Sequence, residues 1–294
     1  MANSIQAAPS VLADAVIGSI KYKLPVLSGF SSVFTSSIQD QGKTIQVPLI
    51  GTSTATEFGA SGYLTQDDAT VTKADVTLKH FKVSTRVTPL NIREYGMAFF
   101  QNFAVTAANA LSQKCLDEVA ALVVNANYSA NTNTGASLTY AEAVAAQKTL
   151  DDAGAAQPRA LVLNSTYIAD LRGDSSIVGA NGFGANVIQS GNIGQLAGAN
   201  VYQFAGLPNN SENLAGFACG ADAIAVASAL PMTEIPGWEV ANATDPDTGL
   251  SVQIIMGQEQ SGLYNITATM LFGASVGRAG SLVRLKTALA VLAR

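Results

Sequence analysis

One long amphipathic stretch in the first half of the chain most limits the folds that this sequence can adopt. Its apolar positions recur every three or four residues, as on one face of a helix: Phe100, Phe103, Ala107, Leu111, Cys115, Val119 and Leu122. Asn91 follows Pro89 and precedes Glu94 by three residues, a pattern typical of a capped helix start. A helix over 91–125 would be roughly 50 Å long at about 1.5 Å per residue, which is long for a globular domain.

The residues before this helix have the twofold period of β-strands. The alternation covers 45–49 and returns over 71–87. Its phase reverses near His80, where the apolar positions change from Val76 and Leu78 to Phe81 and Val83; this favours a bulge or a strand covered on both faces. We expect residues 43–88 to form a long two-stranded ribbon with an open tip. Such a ribbon has no core of its own and is marginal in water unless something covers it.

The tip of this ribbon carries the candidate site residues. Phe58, Tyr63 and Leu64 are large apolar groups in a stretch otherwise rich in Gly, Ala, Ser and Thr. The neighbouring sequence offers nothing that could bury them, so we predict that they contact another subunit. Burial of each ring would contribute roughly 1.5 to 3 kcal/mol. The alternative is that they fold back onto their own chain.

Helix and strand signals are mixed through the rest of the chain, which predicts an α+β fold. Residues 10–20 read as an N-terminal amphipathic helix with Leu12, Ala15, Val16 and Ile20 on one side. Residues 125–137 read as a polar connection. Thr139 with Glu142 predicts a capped helix that stops at Gly154, and Ser165 predicts the cap of a brief one. Strands are expected at 160–163, 200–205, 238–241, 251–256, 263–276 and 282–286, with a mixed apolar segment at 217–229.

The chain is poor in charge for its size. Only 13% of its residues are Asp, Glu, Lys or Arg, and the formal net charge is -5, whereas an ordinary soluble domain has about 25% charged residues. This deficit indicates that much of the surface meets other protein rather than water. The acidic balance and the lack of basic clusters argue against a protein that reads nucleic acid. The longest uncharged run, 175–211, is rich in Gly, Asn and Gln and does not resemble a membrane span.

One motif suggests catalysis and has to be weighed. Gly273-Ala274-Ser275-Val276-Gly277 matches the nucleophile elbow of serine hydrolases, which requires a strand, a sharp turn, a helix and a histidine later in the chain. Here a strand is expected to follow, and the only histidine, His80, lies far upstream. We therefore predict that Ser275 is not a nucleophile and that the protein is not an enzyme.

The residues that usually bind metals are too few and too scattered to form a site. His80 has no second histidine nearby, and Cys115 and Cys219 stand singly, so no metal-ligand spacing exists. Two such cysteines are most simply buried free thiols made in a reducing cytoplasm. We predict no metal, no cofactor and no catalytic residues.

The order of these elements resembles the major capsid proteins of tailed bacteriophages, which have the Hong Kong 97-type capsid fold. The order runs through an N-terminal arm, a β-ribbon, a long helix, a mixed α/β region and returning C-terminal strands. Five stretches carry the resemblance in the family's order: 75–84, 155–171, 198–208, 216–225 and 277–285.

The resemblance implies an N-terminal arm at 1–42 and an extended loop at 43–88 that lies over a neighbouring subunit. It also implies a peripheral domain with a spine helix at 89–137, an axial domain at 138–245, and C-terminal strands at 246–294 that return to the peripheral domain. Some relatives carry a long N-terminal scaffolding segment, which we expect here to be absent or already removed, because the ribbon begins by residue 43.

The function implied is self-assembly into an icosahedral or prolate head shell that encloses double-stranded DNA. The partners would be further copies of the chain, as hexamers and pentamers, together with scaffolding, portal and cement proteins. DNA would be enclosed without sequence-specific binding, and no membrane would be involved. The protein would be made in the host bacterial cytoplasm and reside in the virion capsid.

Two other interpretations of the function remain open. An encapsulin-type nanocompartment shares the fold and would be distinguished by a cargo enzyme inside it. A filament or surface-layer subunit is also poor in charge, but a flagellin-like subunit would need heptad-patterned terminal helices, and the C-terminus here reads as strand.

Overall fold

The computed structural model describes residues 9–23, 31–35, 44–50, 71–134, 137–178, 193–231, 236–245, 249–258 and 262–287. Its α-helices are α1 (Pro9–Lys23), α2 (Pro89–Ala121), α3 (Tyr140–Asp152), α4 (Ser165–Gly173) and α5 (Ser175–Val178), with a short 3-10 helix at Ala279–Ser281. The first strands are β1 (Ser31–Thr35), β2 (Thr44–Ile50), β3 (Val71–Thr77), β4 (Lys79–Val87), β5 (Asn131–Thr134), β6 (Arg159–Leu163) and β7 (Gln195–Leu196). The remaining strands are β8 (Ala199–Gln203), β9 (Leu214–Gly220), β10 (Ile224–Ala229), β11 (Glu239–Thr244), β12 (Ser251–Gln258), β13 (Tyr264–Val276) and β14 (Leu282–Thr287).

The long helix predicted from the sequence is present as α2, which has 33 residues and a length of about 50 Å. Its N-cap is Thr88, not Asn91: the Asn91 amide donates to Thr88 Oγ1 at 3.2 Å. Pro89 occupies the first helical position, where its fixed φ and missing N–H suit a helix start. The N-cap therefore lies three residues earlier than the capping pattern indicated.

One sheet holds six strands in the order β1-β10-β13-β12-β11, with β4 paired to β13. This pairing corrects the predicted ribbon, because only β2 and β3 pair with each other, from Thr44↔Thr77 to Ile50↔Val71. Strand β4 runs antiparallel to β13, with Lys79 opposite Phe272 and Val87 opposite Tyr264. The phase reversal near His80 therefore marks a change of sheet at Leu78, rather than a bulge or a strand covered on both faces.

The main core lies between this sheet and the helices α1 and α2. From β13, Met270 and Phe272 enter the same buried cluster as Phe100 and Leu111 of α2. Helix α1 packs on α2, β11 and β12, so the N-terminal helix rests on the rest of the chain. Its buried positions are Leu12, Ala13, Val16 and Ile20, whereas Ala15 is exposed; the predicted apolar side was wrong at that position.

A second six-stranded sheet has the order β5-β14-β9-β6-β8-β7. The capping box at Thr139 and Glu142 that opens α3 is confirmed. Helix α4 is capped by Asn164, not Ser165, through a 2.9 Å bond from the Tyr167 amide. The segment predicted to be a polar connection contains β5, which pairs with β14.

Sheet membership cuts across the predicted segment boundaries. Strands β10 and β11 lie inside the predicted axial segment 138–245 but belong to the first sheet, and β14 lies inside the C-terminal segment 246–294 but belongs to the second. The division into five segments by residue range stays a prediction, because sheet membership alone does not define a domain.

Candidate functional site

The predicted contact residues Phe58, Tyr63 and Leu64 lie outside the described residues. The two strands that lead to and from them are described: β2 ends at Ile50 and β3 begins at Val71. The role of these three residues at a subunit contact stays a prediction. The surfaces that can be described are the base of the ribbon, the exposed side of α2 and the outer face of the first sheet.

The base of the ribbon is packed on the chain's own first sheet. Val47 and Val76 are fully buried in a cluster with Ala225 and Ala227 of β10. Gly273 of β13 makes this crossing possible, because a Cβ there would lie 2.9 Å from Val76 Cγ1 and still closer to the Thr77 carbonyl oxygen. The expectation that the whole ribbon lacks a core is therefore wrong at its base.

The serine of the elbow-like motif lies in regular β structure. Ser275 is inside β13, opposite Ala225 of β10, and the chain then passes through a single 3-10 turn into β14. A Cβ at Gly277 would lie 2.9 Å from the carbonyl oxygen of Ala223, so both glycines of the motif permit close backbone packing. His80 lies opposite Leu271, four residues before Ser275, and is exposed. This arrangement is not a nucleophile elbow, and the wider claim that the protein is not an enzyme stays a prediction.

The two cysteines are confirmed as buried free thiols. Burial raises the pKa of the Cys115 thiol, and the charge of Glu118 raises it further. Burial likewise raises the pKa of the Cys219 thiol, with a smaller contribution from Asp222. Both therefore remain protonated and are poor nucleophiles. Within the described ranges, no three His, Cys, Asp or Glu residues come together in a metal-binding group, and no helix is both long and apolar enough to span a bilayer.

The exposed side of α2 is an uncharged stripe. Between residues 98 and 113 every exposed side chain is neutral, and Val105 is 50% exposed. The exposed residues of this stripe recur three or four positions apart along the helix: Ala98, Gln101, Asn102, Val105, Thr106, Asn109, Ala110 and Gln113. Surfaces depleted of charge are typical of the central part of protein–protein interfaces, so this stripe is suited to contact another protein.

The outer face of the first sheet carries positive charge along β4. His80, Lys82, Ser84 and Arg86 are exposed on this face, while the alternate residues Phe81 and Val83 pack against the main core. Lys82, Ser84, Thr85, Arg86 and Asn265 line an open depression of about 520 Å³, which we call the basic depression. Its described lining includes the two cations Lys82 and Arg86, so this part of the surface is positively charged.

An aromatic side chain lies on the same face as the basic depression. Asn265 is the register partner of both Arg86 on β4 and Gly257 on β12, so these three positions form one row across the sheet. Trp238 covers Gly257, because a Cβ built there would lie 2.5 Å from the indole ring. At about 4.8 Å per strand, the half-buried Trp238 lies roughly 10 Å from the backbone at Arg86.

A buried ionic cluster, which sequence reasoning missed, joins the end of α2 to the second sheet. Arg284 of β14 is fully buried and donates to the Glu212 carboxylate, and its other terminal nitrogen donates to Asn125 Oδ1 at 2.6 Å. The Glu212 carboxylate also accepts a hydrogen bond from the backbone N–H of Asn125 at 2.9 Å. Its other oxygen lies 3.4 Å from Lys286 Nζ. The hydrogen bond from the Asn125 backbone N–H contributes most to lowering the pKa of Glu212, and the positive charges of Arg284 and Lys286 lower this pKa further. The one sign of this cluster in the sequence is Arg284, a cation inside the otherwise apolar run 282–285.

A second arginine, Arg278, connects the turn before β14 to the end of α3. Arg278 donates to the carbonyl oxygens of Gly154 at 3.0 Å and Ala153 at 2.9 Å, and it lies 3.6 Å from the Asp222 carboxylate. A cation is favourable at this position, because the last carbonyl groups of a helix carry partial negative charge. Both arginines thus have structural partners.

Comparison with known proteins places this architecture among phage structures. No family model matches the sequence, and no curated protein matches it. A structure from Mycobacterium phage Che8 superposes with a TM-score of 0.58 and 19% identity over 88% of this chain and 90% of that one. The capsid structure of cyanophage P-SCSP1u gives 0.59 and 14% over 89% and 87%, and the mature capsid of bacteriophage PhiM1 gives 0.52 and 11% over 90% and 87%. At these identities the likeness shows the fold alone, and the conclusion is that this chain has a phage capsid fold.

Proposed function

We propose that this protein is the major capsid subunit of a tailed bacteriophage, which assembles with copies of itself into an icosahedral or prolate shell around double-stranded DNA. The observation that carries the proposal is the likeness to phage capsid structures over nearly nine-tenths of the chain, with TM-scores of 0.58 and 0.59. A likeness over this share of the chain extends well beyond one shared motif.

The described surface supports a subunit that meets other protein on several sides. The stripe on α2 extends over about 24 Å without a charged side chain, and the chain as a whole is 13% charged. In a Hong Kong 97-type arrangement, α2 would be the spine helix and the β2–β3 ribbon would be the stem of the extended loop. Hexamers and pentamers, scaffolding, portal and cement partners, and synthesis in the host cytoplasm belong to this proposal.

The net charge of -5 suits a shell that encloses DNA without adhering to it, because a negative lining repels phosphate. We therefore expect no measurable affinity of the free subunit for duplex DNA at physiological salt. A strongly salt-dependent, tight complex would contradict this part of the proposal.

The proposal is tested by electron microscopy and mass measurement of the purified protein, alone and with co-expressed scaffolding protein. The expected result is closed shells of megadalton mass. A protein that remains monomeric under every assembly condition would overturn the proposal. The contents separate the alternatives: packaged DNA supports a phage head, and a cargo enzyme supports an encapsulin-type compartment. Open filaments or flat lattices would favour a filament or surface-layer subunit.

A further inference from the structure

The long helix α2 ends at Ala121, although its own sequence does not stop there. Residues 116–128 contain no Gly and no Pro, and the repeat of apolar residues predicts a helix as far as 125. A further helical turn follows at once, in which the backbone N–H of Tyr128 donates to the carbonyl oxygen of Val124 at 3.0 Å. The break between α2 and this turn therefore depends on contacts with residues elsewhere in the chain.

Three backbone N–H groups at the break do not bond to the carbonyl group four residues before them. They belong to Val124, Asn125 and Asn127. The N–H of Asn125 donates to the Glu212 carboxylate at 2.9 Å, and the N–H of Val124 donates to the carbonyl oxygen of Leu122 at 2.9 Å. In an uninterrupted α-helix their partners would be the carbonyl oxygens four residues earlier, those of Ala120, Ala121 and Val123.

The side chain of Asn210 takes the place of the missing helical donors. Its Nδ2 donates to the carbonyl oxygens of both Ala120 and Val123, each at 2.8 Å. Glu212 in the same turn accepts from the N–H of Asn125 on the other side of the break. One turn from a distant part of the chain therefore satisfies backbone groups that a continued helix would pair with each other.

The turn 209–213, which we call the latch, has an unfavourable backbone conformation. Three of its residues have positive φ without being glycine: Asn210 at 49°, Ser211 at 56° and Asn213 at 55°. This region is unfavourable for residues with a Cβ, although less so for Asn, so such residues persist only where surrounding contacts hold them. These contacts are with the end of α2 and with β14, where the Thr287 N–H donates to the Asn213 carbonyl at 3.0 Å. Separation of the latch from α2 would allow its backbone to relax.

We propose that residues 122–127 form a conformational switch with two hydrogen-bonded states. In the latched state, which is the one in this structure, α2 ends at Ala121 and the latch holds the groups at the break. In the released state, α2 continues through 127 and the same groups pair within the helix. Six further residues extend the helix by about 9 Å at about 1.5 Å per residue, so the second sheet changes its position relative to α2.

The switch goes beyond the proposed function, because it belongs to a single subunit. Within a shell it would allow identical chains to adopt two shapes. The exchange of states is balanced, because helical hydrogen bonds replace those to the latch, and relaxation of the latch offsets the loss of its contacts with α2.

The test removes the donors of the latch with Asn210→Gly, since Gly adopts positive φ without strain. Spin labels at Val105→Cys on α2 and Thr166→Cys on α4 lie at exposed positions, and α4 packs on β6 and β9 of the second sheet. The native thiols of Cys115 and Cys219 are buried and do not compete for the label. Pulsed electron paramagnetic resonance of the unassembled subunit should show a second distance, several ångströms from the first, after Asn210→Gly.

Backbone NMR shows whether the second distance belongs to a continued helix. In Asn210→Gly, the ¹³Cα shifts of 122–124 should become helical in the same fraction of molecules that shows the second distance. Addition of Val124→Gly should remove both signals, because Gly disfavours a helix interior.

The matched control is Asn213→Gly. It makes the same substitution at a residue of the same turn with nearly the same φ, but it leaves both bonds from Asn210 to α2 in place. Ser211→Gly likewise relaxes the latch without removing a donor. Both variants should keep the single distance of the unaltered chain. Circular dichroism and the unfolding midpoint report whether each variant is folded.

Three results would overturn the proposal. One is an unchanged distance in folded Asn210→Gly with non-helical shifts at 122–124. Another is an equal second distance in Asn213→Gly, which would reflect general mobility of the turn. The third is a second distance with random-coil shifts at 122–127, which would show that the end of α2 frays.

A second variant covers the case in which Asn210→Gly does not fold. Asn210→Asp keeps the shape of the side chain but cannot donate, so it should give the same second distance and helical shifts. If neither variant folds, the latch is only a structural element and the proposal fails. Absence of shells would count against the proposed function alone, because these measurements use the unassembled subunit.

Discussion

The guanidinium of Arg284 in β14 donates to the carboxylate of Glu212, 72 residues earlier in the chain. Glu212 in turn accepts from the Asn125 amide just beyond α2. These two bonds connect the end of the long helix to the second sheet through one buried cation.

Removal of this cation should destabilise the subunit strongly. Arg284→Met leaves Glu212 without its closest charge partner, and loss of one member of a buried pair costs about 3 to 5 kcal/mol. Because the Glu212 side chain is 22% exposed and keeps Lys286 nearby, we expect a loss of about 3 kcal/mol in urea-induced unfolding. The control is Lys79→Met, which breaks an exposed pair with Glu118 and should cost less than about 1 kcal/mol. Equal losses in the two variants would contradict this account of Arg284.

The same network makes stability depend on pH in a defined direction. The pKa of Glu212 is held below its ordinary value of 4.5, so its contribution is complete above about pH 4.5 and is lost as the pH falls through the lowered folded value. Glu212→Gln should therefore be less stable at pH 7 and should lose less free energy of unfolding as the pH falls below about 4.5. Asp152→Asn, at an exposed carboxylate of α3, should keep the slope of the unaltered chain. A parallel slope in Glu212→Gln would show that this carboxylate does not control the acid response.

Gly273 should be essential for packing of the ribbon base against β13. A side chain there meets the backbone of Thr77 and the side chain of Val76, so Gly273→Ala forces the ribbon base away from β13 at a cost of about 1 to 3 kcal/mol. Hydrogen exchange at the β2 and β3 amides should increase markedly. The matched control is Gly280→Ala, because a Cβ at Gly280 makes only an ordinary contact, at 3.8 Å from Ala153 Cβ. Unchanged exchange in Gly273→Ala would show that the ribbon is held elsewhere.

Ser275 should be chemically inert. It lies in a continuous strand without a histidine partner along the chain after it, so no general base activates its hydroxyl. We expect no labelling by serine-directed phosphonates, no hydrolysis of simple esters, and unchanged stability and assembly in Ser275→Ala. Stoichiometric labelling at Ser275, measured by mass spectrometry, would overturn this interpretation.

Phe58 and Tyr63 should matter for assembly and not for folding of the subunit. If their rings are buried on a neighbour, Phe58→Ala with Tyr63→Ala removes roughly 1.5 to 3 kcal/mol per ring from each contact while the unassembled subunit unfolds as before. Fewer or more fragile shells are expected by light scattering and microscopy, and Leu64→Ala should act in the same direction. A loss of several kcal/mol from the unassembled subunit, with robust shells, would mean that the rings pack on their own chain.

Local signals in the sequence predicted several elements well. The repeat of apolar residues every three or four positions identified α2, and the Thr139–Glu142 pair identified the start of α3, because helix periodicity and caps depend on residues within a turn of one another. The strand character of 71–87 was also correct. The candidate contact at Phe58, Tyr63 and Leu64 was a sequence inference, whereas the basic depression was not foreseen, since Lys82 and Arg86 come together with Asn265 only through the pairing of β4 with β13.

The sequence by itself determined where most of the helices and strands lie, although not β1 or β5, how little charge the chain has, and that Cys115 and Cys219 are free, because these follow from composition and short-range pattern. The tertiary structure alone decided that 79–87 leaves the ribbon for β13, that Gly273 and Gly277 are packing glycines rather than an elbow, and that Arg284 meets Glu212. Strand partners and buried ion pairs depend on which faces are covered by residues far away in the chain. The phase reversal near His80 marked the change of partner, but nothing in 79–87 itself identified β13 as the new partner.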